Sequence, residues 1–140
     1  SWLFSPFGKN FVKTILKLSE VKKTIQVVND QYGRPTYGID LARIVLSNIS
    51  KPDFFDFNSY NYAMQGTTTW FDFASKIIAI KKSTCQIKSC STAEYPTLAK
   101  RPKHSVLDTK RIENHLSLNI PSWEDSLKRC LKRIDNNEKI

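Results

Sequence analysis

Glycine is scarce in this 140-residue sequence, and its four residues form neither a G-x-G-x-x-G motif nor a P-loop. The three cysteines are odd in number and include no C-x-x-C pair, which argues against a disulfide framework or a zinc site. A reducing, cytoplasmic setting fits this usage best. No apolar run approaches the ~18 residues that a membrane span needs, and no signal peptide is visible. The sequence therefore predicts a cytoplasmic protein with no membrane partner.

The sequence also lacks the residue spacings of common catalytic centres. The nearest approach to Tyr-x-x-x-Lys is Tyr95 and Lys100, which are five positions apart instead of four, and Pro96 would disrupt a helix between them. His104 and His115 have no metal-ligand spacing with each other. We predict that this chain carries no catalytic residue and no metal site, and that it catalyses nothing alone.

The net charge of +9 indicates an anionic partner, either nucleic acid or a small molecule that bears phosphate. Nine of the 22 basic residues line two predicted helices that lie far apart in the chain, namely Lys9, Lys13, Lys17, Lys22 and Lys23 near its start and Lys128, Arg129, Lys132 and Arg133 near its end. Solvated helix faces are therefore the favoured interpretation, and a basic nucleic-acid-binding module ranks last. Because 40% of the residues are hydrophobic, the chain is predicted to fold, as one domain or fragment over residues 1–140 with a frayed tail over 136–140.

Hydrophobic periodicity predicts a mixed α/β fold of helices with a few short strands. A complete doubly wound sheet would need more strands than the pattern supplies. Ser and Thr followed three residues later by Asp predict helix starts at Thr69 and Ser122. The predicted helices lie near 8–22, 38–49, 69–80 and 108–116 and from 122 onward. The predicted strands lie at 1–5, 24–28, 54–57 and 86–88, with a polar loop over 58–66 and an irregular segment over 93–103.

The stretch 29–42 joins the predicted strand at 24–28 to the helix that follows it. Gly33 and Pro35 force a turn, and Thr36 is placed to cap that helix through its hydroxyl group. A loop between a strand end and a helix N-terminus is where α/β proteins often hold anionic ligands. An ordinary βα turn is the alternative that the local pattern also allows.

The whole string in this stretch is more specific than its parts. Val-Val-Asn-Asp-Gln-x-Gly-x-Pro-Thr-Tyr over 27–37, followed by Asp40-Leu41-Ala42, resembles the C-terminal half of the dTDP-4-dehydrorhamnose reductase family. That family belongs to the extended short-chain dehydrogenase/reductases. Six further segments match in the same order, namely FGKNFVKT (7–14), TWxDFA (69–74), EYPT (94–97), AKRP (99–102), SVLD (105–108) and IPSW (120–123).

The resemblance implies that this chain is the C-terminal substrate-binding portion of such an enzyme and lacks the N-terminal Rossmann half. In the family that half carries the glycine-rich turn and the Tyr-x-x-x-Lys pair, and it would bind most of the NADPH. The implied parent reduces the C4 ketone of dTDP-4-dehydro-L-rhamnose by hydride transfer. The implied partners are the nucleotide-sugar substrate, the Rossmann half and, for the parent enzyme, a second copy in a homodimer.

Four substrate-binding residues follow from the resemblance. Trp2 is either a buried strand-end residue or a surface for the hexose, whose apolar face suits an aromatic ring. Arg101 lies in the family-like Ala-Lys-Arg-Pro segment and is assigned to the diphosphate, with Gln31 and Thr36 in the pocket wall. Arg34 occupies a position that is usually small in the family, and it is predicted to face solvent.

Two other functions remain open from the sequence. The regulatory subunit of methionine adenosyltransferase shares this fold and much of the pattern but acts as a binding subunit. Another nucleotide-sugar epimerase or reductase would also fit. An intact Tyr-x-x-x-Lys in an N-terminal half would favour the enzyme. The segment Asn58 to Gly66 is longer and more aromatic than in the family, and His104 replaces an aromatic residue.

Overall fold

The structure is a computed structural model that describes residues 1–57 and 59–136. Residues 137–140 of the tail that is predicted to fray lie outside the described residues. Within the described part there are five α-helices, a short 3₁₀ helix and seven short strands. The helices are α1 (Phe11–Val21), α2 (Gly38–Asn48), α3 (Trp70–Lys81), α4 (Lys110–His115) and α5 (Trp123–Asp135). None of these helices is long and apolar enough to cross a membrane.

Side-chain caps fix the starts of three helices. Thr69 Oγ1 accepts a hydrogen bond from the Asp72 N–H at 3.0 Å, and Ser122 Oγ accepts one from the Asp125 N–H at 3.1 Å. Both predicted helix starts are thus confirmed. Helix α1 begins three residues later than predicted, because Asn10 is extended and its side chain accepts from the Lys13 N–H.

The strands form three small sheets. Strands β1 (Leu3–Phe4) and β4 (Thr36–Tyr37) are parallel, as are β2 (Thr24–Val28) and β6 (Gln86–Cys90). In the third sheet, β3 (Tyr32–Gly33) lies between β5 (Thr68–Thr69), antiparallel to it, and β7 (His104–Ser105), parallel to it. The predicted strands at 24–28 and 86–88 are confirmed. The mixed α/β prediction is also confirmed.

The core lies where the apolar faces of the helices meet the β2–β6 sheet and the short strand β1. Helices α1 and α3 contact each other, and α3 also contacts both strands of that sheet. The residues buried there follow the helical spacing seen in the sequence. They include Phe4, Val12, Ile15, Phe73, Ile77, Leu127 and Leu131.

The predicted strand over 54–57 is wrong, and a 3₁₀ helix occupies Pro52–Phe55 instead. Pro52 starts this turn, where its fixed φ and missing N–H cost nothing. The aromatic rings that suggested a strand contact one another locally, with Phe54 stacked on Tyr60 at 5.7 Å between centroids. The polar loop predicted over 58–66 is also incorrect in part, because Tyr62 and Met64 are buried; Asn58 lies outside the described residues.

An ion pair joins the first turn of α2 to α5. Asp40 is buried, and its carboxylate accepts from both terminal nitrogens of Arg129, at 2.7 and 2.5 Å. Ser126 Oγ also donates to Oδ2 of the Asp40 carboxylate, at 3.5 Å. Two parallel bonds of this kind make the strongest form of an Arg–carboxylate pair.

Replacing Arg129 by Met is expected to lower the free energy of unfolding by about 2 kcal/mol, because Asp40 would stay buried without its main partner. Urea denaturation measures this loss. Lys132→Met on the same helix is the control, since Lys132 is exposed and should change stability by less than about 0.5 kcal/mol. Equal losses in the two variants would contradict the role of the pair.

Candidate functional site

The segment of residues 29–37, called the central segment below, is hydrogen-bonded to four other parts of the chain. Its Asn29 N–H donates to Cys90 O at 3.0 Å, and its Tyr32 N–H donates to Lys103 O at 2.7 Å. Its Pro35 O accepts from the Met64 N–H at 2.9 Å. Its Thr36 N–H donates to a carbonyl near the start of the chain, Trp2 O, at 3.1 Å. The central segment therefore sets where these parts meet.

Thr36 does not cap helix α2, so this prediction is wrong. Tyr37 is the N-cap residue and makes no side-chain cap, while Thr36 lies in strand β4. The buried Thr36 hydroxyl donates instead to Ser1 O at 2.6 Å. Thr36 therefore holds the stretch that carries Trp2, and it does not line the cavity described below.

Arg34 does not face solvent, so that prediction is also wrong. Its side chain is buried, and four N–H groups donate to oxygens of two distant segments. Those oxygens are Met64 O at 2.8 Å, Gln65 Oε1 at 2.8 Å, Leu107 O at 2.9 Å and Thr109 Oγ1 at 3.2 Å. No local pattern indicates this role, because every acceptor lies at least 30 positions away in the sequence.

A cavity of about 390 Å³ opens beside the central segment and is lined by three of the predicted substrate residues, Trp2, Gln31 and Arg101. Phe11 and Trp70 complete its aromatic wall. A second, more apolar cavity of about 450 Å³ shares Gln31, Trp70 and Arg101 with the first and continues along α1 and β2. The structure thus brings together three of the four predicted residues in one cleft. It also adds Trp70, which sequence reasoning treated only as part of a helix start.

Trp2 is half-buried, and its ring stacks on Trp70 with centroids 3.7 Å apart and planes 10° from parallel. The ring also lies over Gly33, where an added Cβ would meet Trp2 Cε2 at 2.4 Å. Only glycine leaves room for this ring. Trp2 also lines the cavity, so both of its predicted roles are compatible with its position.

Gln31 is buried and donates from Nε2 to Thr92 Oγ1 at 3.0 Å. Thr92 in turn donates from its hydroxyl to Asp30 Oδ1 at 2.7 Å and from its N–H to the same carboxylate. These bonds, from the Thr92 side chain first and its backbone second, lower the pKa of Asp30 below its ordinary value. Arg101, by contrast, is exposed in the irregular segment after β6.

The chain's own residues do not fit a dinucleotide. A pyrophosphate site of the dinucleotide type needs several glycines of one turn open at a helix N-terminus. Only Gly8, two residues before the N-cap of α1, has open space where a Cβ would lie, and no second glycine lies near it in the sequence. Gly33 is covered by Trp2, Gly66 by Trp123, and Gly38 contacts Leu3 and its neighbours. We therefore assign no cofactor-binding residue here.

The cysteines are not suited to nucleophilic chemistry. The three cysteines are buried and unpaired, and burial raises the pKa of Cys90 and brings that of Cys130 to about 12. Both thiols are thus protonated at neutral pH and are poor nucleophiles. Among residues 1–57 and 59–136, no three His, Cys, Asp or Glu side chains cluster to hold a metal ion.

The fold is that of the C-terminal portion of an extended short-chain dehydrogenase/reductase, with a cleft on one side of the central segment. The chain belongs to the RmlD substrate binding domain family, whose model matches residues 1–136. The family resemblance seen in the sequence is confirmed.

Named relatives agree with this family. The chain is 34% identical over 142 residues to dTDP-4-dehydrorhamnose reductase of Salmonella typhimurium, covering 94% of this chain and 46% of that protein. It is 36% identical over 132 residues to spore coat polysaccharide biosynthesis protein SpsK of Bacillus subtilis, covering 94% and 45%. A crystal structure of dTDP-4-dehydrorhamnose reductase from Bacillus anthracis in complex with NADP superposes with a TM-score of 0.88 at 34% identity, covering 95% and 46%. The chain thus spans about half the length of these relatives.

Gly33→Ala is expected to push Trp2 off Trp70, because the new Cβ would overlap the indole ring. We expect the near-ultraviolet circular dichroism of the stacked pair to change and unfolding to become easier by about 1–2 kcal/mol. Gly38→Ala is the control, since its Cβ would meet its nearest neighbour at an ordinary 3.6 Å. An unchanged spectrum for Gly33→Ala would show that the ring is not held by this contact.

Proposed function

We propose that this chain is the nucleotide-sugar-binding portion of an NADPH-dependent dTDP-4-dehydrorhamnose reductase that serves dTDP-L-rhamnose synthesis. One observation carries the proposal: Trp2, Gln31 and Arg101, which the family resemblance assigns to the substrate, line the same cavity. They come from three segments that are distant in sequence and meet at the central segment. The family membership and the names of the relatives support the same substrate class.

The residues of the cleft suit the parts of a dTDP-sugar. Arg101 can offer a guanidinium fork to the diphosphate, which is the anionic partner that the net charge of +9 suggested. The stacked indoles of Trp2 and Trp70 supply apolar surface for the hexose, and Gln31 supplies a polar group beside it. The substrate is thus bound at its charged end and oriented at its sugar end.

The chain's contribution to the reaction is to position the substrate. Holding a ketone in a near-attack geometry against its reaction partner supplies a large share of a barrier reduction. The hydride would come from NADPH, and a tyrosine of the N-terminal half would protonate the developing alkoxide, both outside this chain. The central segment fixes the three cleft-lining segments relative to one another, which is what such positioning requires.

Arg101→Ala is expected to weaken binding of dTDP-L-rhamnose about ten- to a hundredfold, because one charge-assisted contact to the diphosphate is lost. Calorimetry on the protein at its full encoded length measures the affinity. Lys100→Ala is the matched control: Lys100 is the exposed neighbouring cation, and it does not line either cavity. Equal weakening by the two variants would indicate only a general charge effect and would overturn the assignment of Arg101.

The 140-residue chain alone is expected to show no NADPH-dependent reduction of dTDP-4-dehydro-L-rhamnose, because it has neither a dinucleotide motif nor Tyr-x-x-x-Lys. The absorbance of NADPH at its reduced-nicotinamide band measures turnover. When substrate is added, the rate of NADPH oxidation should equal the rate in buffer without the protein. Turnover by the purified chain, free of any longer form, would contradict the proposed division of labour.

A further inference from the structure

Asp30 and Thr92 form a short hydrogen-bonded chain with Gln31, and of the three residues only Gln31 lines the two cavities of the cleft. Asp30 and Gln31 are neighbours in the central segment, whereas Thr92 follows strand β6. The Thr92 N–H donates to both carboxylate oxygens of Asp30, at 3.0 and 3.1 Å, and the Thr92 hydroxyl is 2.7 Å from Oδ1. Gln31 Nε2 is 3.0 Å from the same hydroxyl oxygen.

The chemistry of these groups fixes the direction of each bond. An ionised carboxylate can only accept, so the hydroxyl of Thr92 gives its single proton to Asp30. The hydroxyl oxygen is then left with lone pairs alone and can only accept from its second neighbour. Gln31 must therefore turn its NH₂ group toward Thr92. The opposite amide orientation would set two acceptors against each other.

With the NH₂ group of Gln31 turned toward Thr92, the amide oxygen Oε1 points the other way. This oxygen has no hydrogen-bond partner among the described residues, and it is not one of their fully enclosed, unpaired polar atoms. Gln31 lines both cavities of the cleft. The oxygen is thus an accessible acceptor on a residue of the cleft wall, and a ligand group that displaces water from it must offer a donor.

We infer that Asp30 and Thr92 are positioning residues that orient Gln31 so that its amide oxygen accepts a hydrogen bond from a hydroxyl group of the hexose. This rests on the proposed function and deepens it. Diphosphate oxygens are acceptors and cannot satisfy Gln31 Oε1, whereas every sugar hydroxyl can. In the nucleoside diphosphate part only thymine N3–H and the deoxyribose hydroxyl can donate, so the Asp30–Thr92–Gln31 chain disfavours a diphosphate at Gln31 and suits the hexose, which carries several hydroxyl donors.

The test compares the affinities of dTDP-L-rhamnose and dTDP in the protein at its full encoded length, by calorimetry. Thr92→Val keeps the branched shape of the side chain but removes the hydroxyl, which frees the Gln31 amide to rotate. We expect about three- to tenfold weaker binding of dTDP-L-rhamnose and unchanged binding of dTDP. Thr92→Ser should restore the affinity, and Thr84→Val, at an exposed threonine away from the cleft, should match the unaltered protein.

A double-mutant cycle separates positioning from a general structural effect. In a Gln31→Ala background the Thr92→Val change should cost no further affinity for dTDP-L-rhamnose, because the group that it orients is gone. Asp30→Ala probes the same arrangement without altering Thr92, whose freed hydroxyl could then donate to the Gln31 amide oxygen. The same selective loss is expected for this variant, including where Thr92→Val does not fold.

Equal weakening of both ligands by Thr92→Val, or additive losses in the cycle, would overturn the positioning role while leaving the proposed function intact. Unchanged affinity for dTDP-L-rhamnose in both Thr92→Val and Asp30→Ala would overturn it as well. If the unaltered protein binds neither ligand, the proposed function itself fails, and the inference fails with it.

Discussion

The rest of the site depends on the hydrogen bonds of the buried Arg34 guanidinium. A cation removed from water is stable only where its donors are satisfied, and four of the N–H groups of Arg34 reach oxygens of residues 64–65 and 107–109. Two of those oxygens belong to backbone carbonyls, so the bonds fix the course of the chain as well as side-chain positions. The segment that carries Arg101 leads directly into one of these anchored stretches.

The cleft is therefore built by long-range contacts. Its wall combines residues that are distant in sequence, namely Trp2, Gln31, Trp70 and Arg101. They become neighbours because both strands of the central segment pair with distant strands. Strand β3 pairs with β5 and β7, and strand β4 pairs with β1. Gly33 has a second role, since its missing side chain admits the ring of Trp2. The same few residues thus turn the chain, anchor its distant parts and line the proposed substrate site. Such rigid support is what a site that orients a substrate needs.

Local chemistry was readable from the sequence, and long-range chemistry was not. The capping pairs that begin at Thr69 and Ser122 involve residues three positions apart, so their pattern alone located two helices. Thr36 also has the side chain of a capping residue, but its hydroxyl donates to Ser1 O, 35 positions away. A local pattern does not show a hydrogen-bond partner at that distance. The prediction for Arg34 was wrong for the same reason. Matched family segments located Trp2, Gln31 and Arg101, but only the fold showed that they share a cavity and that Trp70 joins them.

We propose that the cleft beside the central segment binds the nucleotide sugar through its own side chains. The most direct measurement is a crystal structure of the protein at its full encoded length with dTDP-L-rhamnose bound. We expect the diphosphate to lie against Arg101 and the hexose against the Trp2–Trp70 pair, with a sugar hydroxyl near Gln31. A nucleotide sugar bound elsewhere, such as in the basic cavity lined by Arg43, Arg129 and Lys132, would contradict it.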